Sequence, residues 1–139
     1  MKKPTKGIAV DASTTGGNPG YTEYRGIDIS TGEIVFHDDM GCSTNNLGEW
    51  AAIITALEYL RKKGLKEVVY SDSLNAINWV RKGAVKTNMH IDYPEKFTIE
   101  LEEIIADKLK SLIQFHPEPN VAFWDNKNWG ENPADFGRK

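Results

Sequence analysis

A single cysteine, Cys42, stands in this 139-residue chain, which excludes an intramolecular disulfide and a cysteine-built metal cluster and suits a reducing compartment. Long apolar runs are missing too. The amino end, MKKPTKGIAVDAS, starts basic but its apolar stretch stops at Asp11, too short for a signal peptide or a membrane span. Together these absences give the expectation of a cytoplasmic protein with no membrane association. Nor is there an excess of positive charge: 17 Lys and Arg face 20 Asp and Glu, a net charge of -3. That excludes a broadly basic polyanion binder, so a polyanionic partner would need a local basic patch or bound cations. Repeats, linkers and low-complexity tracts are also absent, and residues 1–139 read as one domain long enough to bury a single core.

What is present alternates between strand and helix signals. Residues 6–12 (KGIAVDA) read as a strand ending near Asp11, followed by the turn cluster Ser13 to Gly20. Residues 21–30 and 33–40 read as two further strands joined by Ser30-Thr31-Gly32, completing an antiparallel meander. A helix is predicted from about Asn46 to Lys63, carrying Trp50, Ile53, Ile54, Leu57 and Leu60 on one stripe and stopping at Gly64. A fourth strand covers residues 66–72 and again ends in an aspartate, Asp72. Ser73 or Asp72 caps a helix with Leu74, Ile77 and Val80 that ends near Gly83; residues 84–93 read as a polar loop. From Pro94 a long helix carries Phe97, Leu101, Ile104, Ile105, Leu109, Leu112 and Ile113, with its many acidic residues on a solvated face. Residues 121–124 read as a fifth strand and residues 132–139 as a short terminal helix or turn. The order predicts an α/β fold: a five-stranded mixed sheet, meander plus parallel strands, flanked by helices.

Glu49 is the odd residue of the first helix, a carboxylate at the edge of the apolar stripe. Asn46 and Glu49 fit a capping box, which would explain it locally. The functional reading needs other carboxylates to converge there. In open α/β sheets, sites lie beyond the carboxyl ends of parallel strands, and Asp11 and Asp72 both occupy such ends. Each alone is more simply a turn or cap residue. If their strands are parallel neighbours, Asp11, Asp72 and Glu49 form an oxygen-rich site suited to Mg²⁺ or Mn²⁺.

At this point the sequence resembles the ribonuclease H family, type 1, on four dispersed motifs in the family's order. They are Asp11-Ala12-Ser13 with Gly17-Asn18-Pro19-Gly20, Thr44-Asn45-Asn46-Leu47-Gly48-Glu49, Tyr70-Ser71-Asp72-Ser73, and the terminal run Trp129-Gly130-Glu131-Asn132-Pro133-Ala134-Asp135-Phe136-Gly137-Arg138-Lys139. The resemblance implies an endoribonuclease that cuts the RNA strand of RNA/DNA hybrids with two Mg²⁺ or Mn²⁺ ions, leaving 5′-phosphate and 3′-hydroxyl ends. Asp11, Glu49, Asp72 and Asp135 would hold the metals, Asp135 on the resemblance alone. Many members carry a histidine in the loop before the last aspartate, whereas Asp125-Asn126-Lys127-Asn128 has none. The chain resembles the compact bacterial branch, in which a glutamate four residues before the last aspartate assists metal exchange and product release. Glu131 has that spacing; its simpler reading is an exposed glutamate.

Telling RNA from DNA requires contact with the 2′-hydroxyl across a shallow minor groove. Asn18, Asn45 and Asn46 carry amides that donate and accept, and by resemblance Asn18 and Asn45 face the substrate, with backbone near Ser13 and Gly48. The family also implies a pocket for a DNA phosphate, with Thr44, Asn46, Lys86, Thr87 and Asn88 as candidates. Trp79 and Trp124 are candidates for stacking on nucleotides, though core or groove-wall roles are the commoner use of such residues. The family's basic insertion after the second helix is missing, leaving Arg81, Lys82 and Lys86. Few phosphate contacts are therefore expected. A monomer with no obligate protein partner is expected. Two alternatives stand beside this reading: a catalytically weak hybrid-binding module, and another nuclease of the same fold.

Overall fold

The apolar run Ile8-Ala9-Val10 is almost wholly removed from solvent, which requires cover on both faces of the strand that holds it. In the computed structural model, which describes residues 2–116 and 118–137, this strand, β1 (Ile8–Thr15), is the middle strand of five. It pairs antiparallel with β2 (Gly20–Asp28), and β2 pairs antiparallel with β3 (Ile34–Ser43). On its other side β1 pairs parallel with β4 (Val69–Ser71), which pairs parallel with β5 (Val121–Phe123). The order β3-β2-β1-β4-β5 is the mixed sheet that the sequence predicts.

Alternation along β1 divides its neighbours between two faces. Ile8, Val10 and Ala12 belong to the main core, built on α1 (Asn45–Lys63). Ala9 belongs to a smaller cluster with Ile27 and Ala134 on the opposite face, so the terminal segment covers the sheet there. Around Trp50 to Ile54, α1 is buried on every side, because it lies over the sheet and beneath α2 (Leu74–Lys82) and α4 (Ile99–Ile113). Its close seating depends on Gly48, where an added Cβ would lie 2.6 Å from Thr22 Cγ2 and 2.9 Å from the Ala12 Cβ. Gly64 ends α1 at φ 68°, a left-handed conformation natural to glycine.

Several boundaries differ from the sequence reading. Thr44, not Asn46, caps α1: its side chain accepts the Leu47 N–H, and Glu49 turns away from the cap. β1 runs on past Asp11 to Thr15, because the hairpin with β2 continues to the pair Thr15–Tyr21. The helix after Pro94 starts only at Ile99, where Thr98 accepts the Leu101 N–H; Pro94 to Phe97 form turns. Inside the supposed loop lies a one-turn helix, α3 (Met89–Asp92), and another, α5 (Asn126–Trp129), follows β5. From Gly130 onward the described tail is turn and coil, with Arg138 and Lys139 of the fourth motif outside the described residues.

Candidate metal centre and groove

β4 is short, and its pairing with β1 covers only Ile8–Val69 and Ala9–Tyr70. Beyond Ala9, β1 outruns its neighbour and presents a bare edge, whose buried polar groups must find other partners. Glu49 Oε1 accepts the Ala12 N–H at 2.6 Å, and Asn132 Nδ2 donates to the Val10 carbonyl at 2.9 Å. Asp11 lies between these two residues on β1, and Asp72 directly follows the end of β4. The notch left by a short strand thus gathers Asp11, Glu49 and Asp72, with one carboxylate oxygen from each within 4.8 Å of the others.

Such a gathering is electrostatically costly without a cation. Asp11 is 1% exposed and Glu49 3%. Burial pushes the Glu49 carboxyl well above its ordinary range, helped by the negative charge of Asp11, a hydrogen bond shared with Asp11 and the charge of Asp72; the Ala12 amide opposes the rise. Three oxygen donors in so small a space fit a hard divalent cation such as Mg²⁺ or Mn²⁺.

Asp135 stands apart from that tight group and bridges its surroundings. It lines a cavity of about 310 Å³ with Asp11, Ser13, Asn18, Asn45 and Phe136, and another of about 280 Å³ with Asp72, Asn126, Glu131 and Asn132. Glu131 is exposed beside the second cavity. Asn18 and Asn45 come together at the first: the Asn45 N–H donates to Asn18 Oδ1 at 3.2 Å, and Thr14 Oγ1 donates to Asn45 Oδ1 at 3.4 Å. Thr44, Asn46, Lys86, Thr87 and Asn88 line one shared cavity of about 250 Å³ with Asn18 and Trp79. Gly48 is buried against β1 and β2 by the contacts described above. Trp124 is wholly buried and packs edge-on with Tyr70 and Trp129, so of the two tryptophans only Trp79 borders a cavity of this groove.

Sequence reasoning missed four residues of this region. Asn126 Nδ2 donates to Asp72 Oδ2 at 2.9 Å, while its Oδ1 accepts the Asn132 N–H at 2.9 Å. Asn132 is buried, and its Oδ1 accepts the Ala134 N–H. Arg25 donates to the carbonyls of Ala134 and Asp135, and Phe136 borders the first cavity. Asn126 stood in a quoted loop and Asn132 in a quoted motif; nothing local in the sequence marks Arg25.

This arrangement defines a protein of the ribonuclease H-like fold: a meander, a parallel extension and acidic residues where the two meet. No protein-family model matches the chain. Among solved structures it is similar to a protease-reverse transcriptase of prototype foamy virus, at 14% identity and a TM-score of 0.51, over 99% of this chain and 19% of that one. It is also similar to the PFV RNase H domain (16% identity, TM-score 0.49, 92% of this chain and 82% of that one). A third is LC9-RNase H1, described as a type 1 RNase H with the type 2 active-site motif (18% identity, TM-score 0.44, 88% and 64%). The chain thus spans about a fifth of the viral protease-reverse transcriptase, and the likeness is one of fold.

Proposed function

We propose that this protein is a metal-dependent endoribonuclease that hydrolyses the RNA strand of RNA/DNA hybrids. The observation that carries the reading is the convergence of Asp11, Glu49 and Asp72 within 4.8 Å, next to a groove edged by asparagines. Asp11, Glu49, Asp72 and Asp135 would hold two Mg²⁺ or Mn²⁺ ions. When bound, such ions supply an activated water and charge stabilisation for an in-line phosphoryl displacement.

The protein's own residues do the rest. Asn18 and Asn45, tied to each other and to Thr14, hold amide groups ready to exchange hydrogen bonds with 2′-hydroxyls. Backbone groups near Ser13, which lines the same cavity, and near Gly48 would assist. Lys86, Thr87, Asn88, Thr44 and Asn46 line an open cavity of about 250 Å³ with room for a phosphate, with Lys86 as its cation. Gripping the DNA strand there and the RNA strand at the asparagines fixes which strand lies over the carboxylates. Glu131, exposed and lining a cavity with Asp72 and Asp135, would assist metal exchange and product release. No helix among the described residues is long and apolar enough to cross a membrane; a cytoplasmic, monomeric enzyme is the reading adopted.

The test uses end-labelled RNA/DNA, RNA/RNA and DNA/DNA duplexes with Mg²⁺, Mn²⁺ or chelator, beside Asp72→Asn. Metal-dependent cutting of only the hybrid's RNA strand, lost in the variant, is expected. Hybrid that is bound but left intact would identify a binding module. Cutting of DNA/DNA would identify another nuclease of the same fold.

A further inference from the structure

Of the four carboxylates, Asp135 has the weakest local support. It lies in a coil segment after Gly130, shaped within that segment by the Asp135 N–H donating to the Asn132 carbonyl at 2.9 Å and the Gly137 N–H donating to Asp135 Oδ2 at 3.1 Å, whereas Asp11 is in a central strand, Glu49 in the first turns of a buried helix and Asp72 just past a strand end. Those turn bonds shape the segment, and Asn132 ties its start to Val10; seating Asp135 itself against the sheet takes contacts from outside the turn.

Register supplies the answer. Arg25 on β2 is the direct antiparallel partner of Asp11 on β1, so both side chains leave the sheet on the same face, the face that the terminal segment covers through Ala9, Ile27 and Ala134. The Arg25 guanidinium donates from Nε to the Ala134 carbonyl at 2.9 Å and from Nη2 to the Asp135 carbonyl at 2.8 Å. Its Cζ lies 4.6 Å from the centre of the Phe136 ring. Three consecutive residues are thereby held by one planar group. Phe136 is in turn backed by His37, with ring centroids 5.6 Å apart, and His37 Nε2 is 2.7 Å from Glu23 Oε1. His37 is the register partner of Arg25 on β3, so the meander offers a continuous cross-strand row beneath the tail: Asp11, Arg25, His37.

We infer that Arg25 is the positioning residue for Asp135, setting the carboxylate over Asp11 and Asp72 by fixing its backbone rather than by touching metal or substrate. The inference rests on the proposed role of Asp135 as a metal ligand. The guanidinium is suited to this by shape more than by charge: two donors in a rigid fork meet two successive carbonyls while the plane stacks on an aromatic ring. A lysine ammonium retains the charge and cannot make that pattern. Arg25 therefore acts through Asp135, and its loss should matter only while Asp135 is there to be placed.

The experiment is a double-mutant cycle on the full chain, combining Arg25→Lys or Arg25→Gln with Asp135→Asn. It is read by calorimetric titration of the metal-free protein with Mn²⁺ and by kcat and KM on a labelled hybrid. Asp135→Asn should weaken one Mn²⁺ binding event. Arg25→Lys and Arg25→Gln should weaken the same event about tenfold, the scale of change when a ligand's supporting partner is removed. kcat should fall with KM for the hybrid within about twofold, since substrate contacts lie elsewhere. In the Asp135→Asn background neither Arg25 substitution should change Mn²⁺ binding further.

Additive losses across the cycle would overturn the inference and make Arg25 a general structural residue, as would full Mn²⁺ affinity in Arg25→Lys while Asp135→Asn is impaired. If Arg25→Gln fails to fold, the lysine variant carries the cycle, since it keeps the positive charge at that position. Mn²⁺ binding untouched by Asp135→Asn would remove Asp135 from the ligand set and the inference with it. A wild-type protein that binds Mn²⁺ in the expected pattern but leaves hybrids intact would overturn the proposed activity alone.

Discussion

Glu49 spends folding stability to hold a site together. Its carboxyl is buried beside two others, and its pKa lies well above the ordinary 4.5. A carboxyl whose pKa is higher folded than unfolded binds a proton more readily in the native state. Its contribution is therefore fully present below about pH 4.5 and is lost as pH rises through the folded value. In chelator, Glu49→Gln should remove this decline: glutamine can still accept the Ala12 N–H while its amide donates toward Asp11. The variant should melt about 2–8 °C above wild type at pH 8, the shift produced by roughly 1 kcal/mol. Mn²⁺ should reverse the order, because it stabilises only the protein that binds it, and hybrid cleavage by the variant should be lost. A thermal melt of both proteins from pH 4 to 8, with and without Mn²⁺, checks each part. Equal, pH-independent melting of the two in chelator would show that the carboxylate pair carries no net repulsion.

At the scale of elements, the site depends on how closely α1 approaches the sheet. Gly48 in the first turns of that helix would, as alanine, gain about 1 kcal/mol of helix propensity. The added methyl would meet Thr22 Cγ2 at 2.6 Å and the Ala12 Cβ at 2.9 Å, and overpacking of that kind costs about 1–3 kcal/mol. The clash should win, so Gly48→Ala is expected to be destabilised by about 1 kcal/mol in denaturant titration. Because Glu49 is the next residue and its bond to Ala12 sets the notch, cleavage should fall by more than the stability loss explains. The same helix shows what was legible in the sequence. Its apolar stripe and terminal glycine set its length almost to the residue, whereas its role in the site was obscured by a plausible capping box of Asn46 and Glu49; the cap is in fact Thr44. α3 and α5, four residues each, are too short for any 3.6-residue periodicity to show. The start of α4 was misplaced because Pro94 is a good first-turn residue, yet Thr98 provides the side-chain cap. Asp72 was legible as a strand-end carboxylate, whereas Asp11 lies inside β1, and the notch that exposes it arises from a difference in strand length that only pairing reveals. Arg25 was illegible for the same reason: its meaning lies in cross-strand register and in a carbonyl 110 residues away.

Over the whole molecule, charge is the quantity that constrains function most. A net charge of -3 works against approach of a polyanion, and the buried carboxylates add to that field until cations occupy them. Among the residues lining the cavity assigned to a DNA phosphate, Lys86 is the one full positive charge, and Asp92 lines the same cavity. Hybrid binding should therefore release few counterions. Each phosphate neutralised on duplex DNA contributes about -0.9 to the slope of log affinity against log salt, so a protein gripping two or three phosphates would show a slope of only about -2 to -3. Lys86→Ala should weaken hybrid binding and make that slope shallower by about 1, with Mn²⁺ affinity unchanged because the residue lines a different cavity from the carboxylates. Fluorescence anisotropy of a labelled hybrid with the cleavage-defective Asp72→Asn protein, from 50 to 300 mM salt, measures the slope directly. A slope unchanged by Lys86→Ala would move the phosphate contact elsewhere on the surface. A steep wild-type slope, near that of a broadly basic binder, would mean that phosphate contacts extend well beyond this cavity despite the overall negative charge.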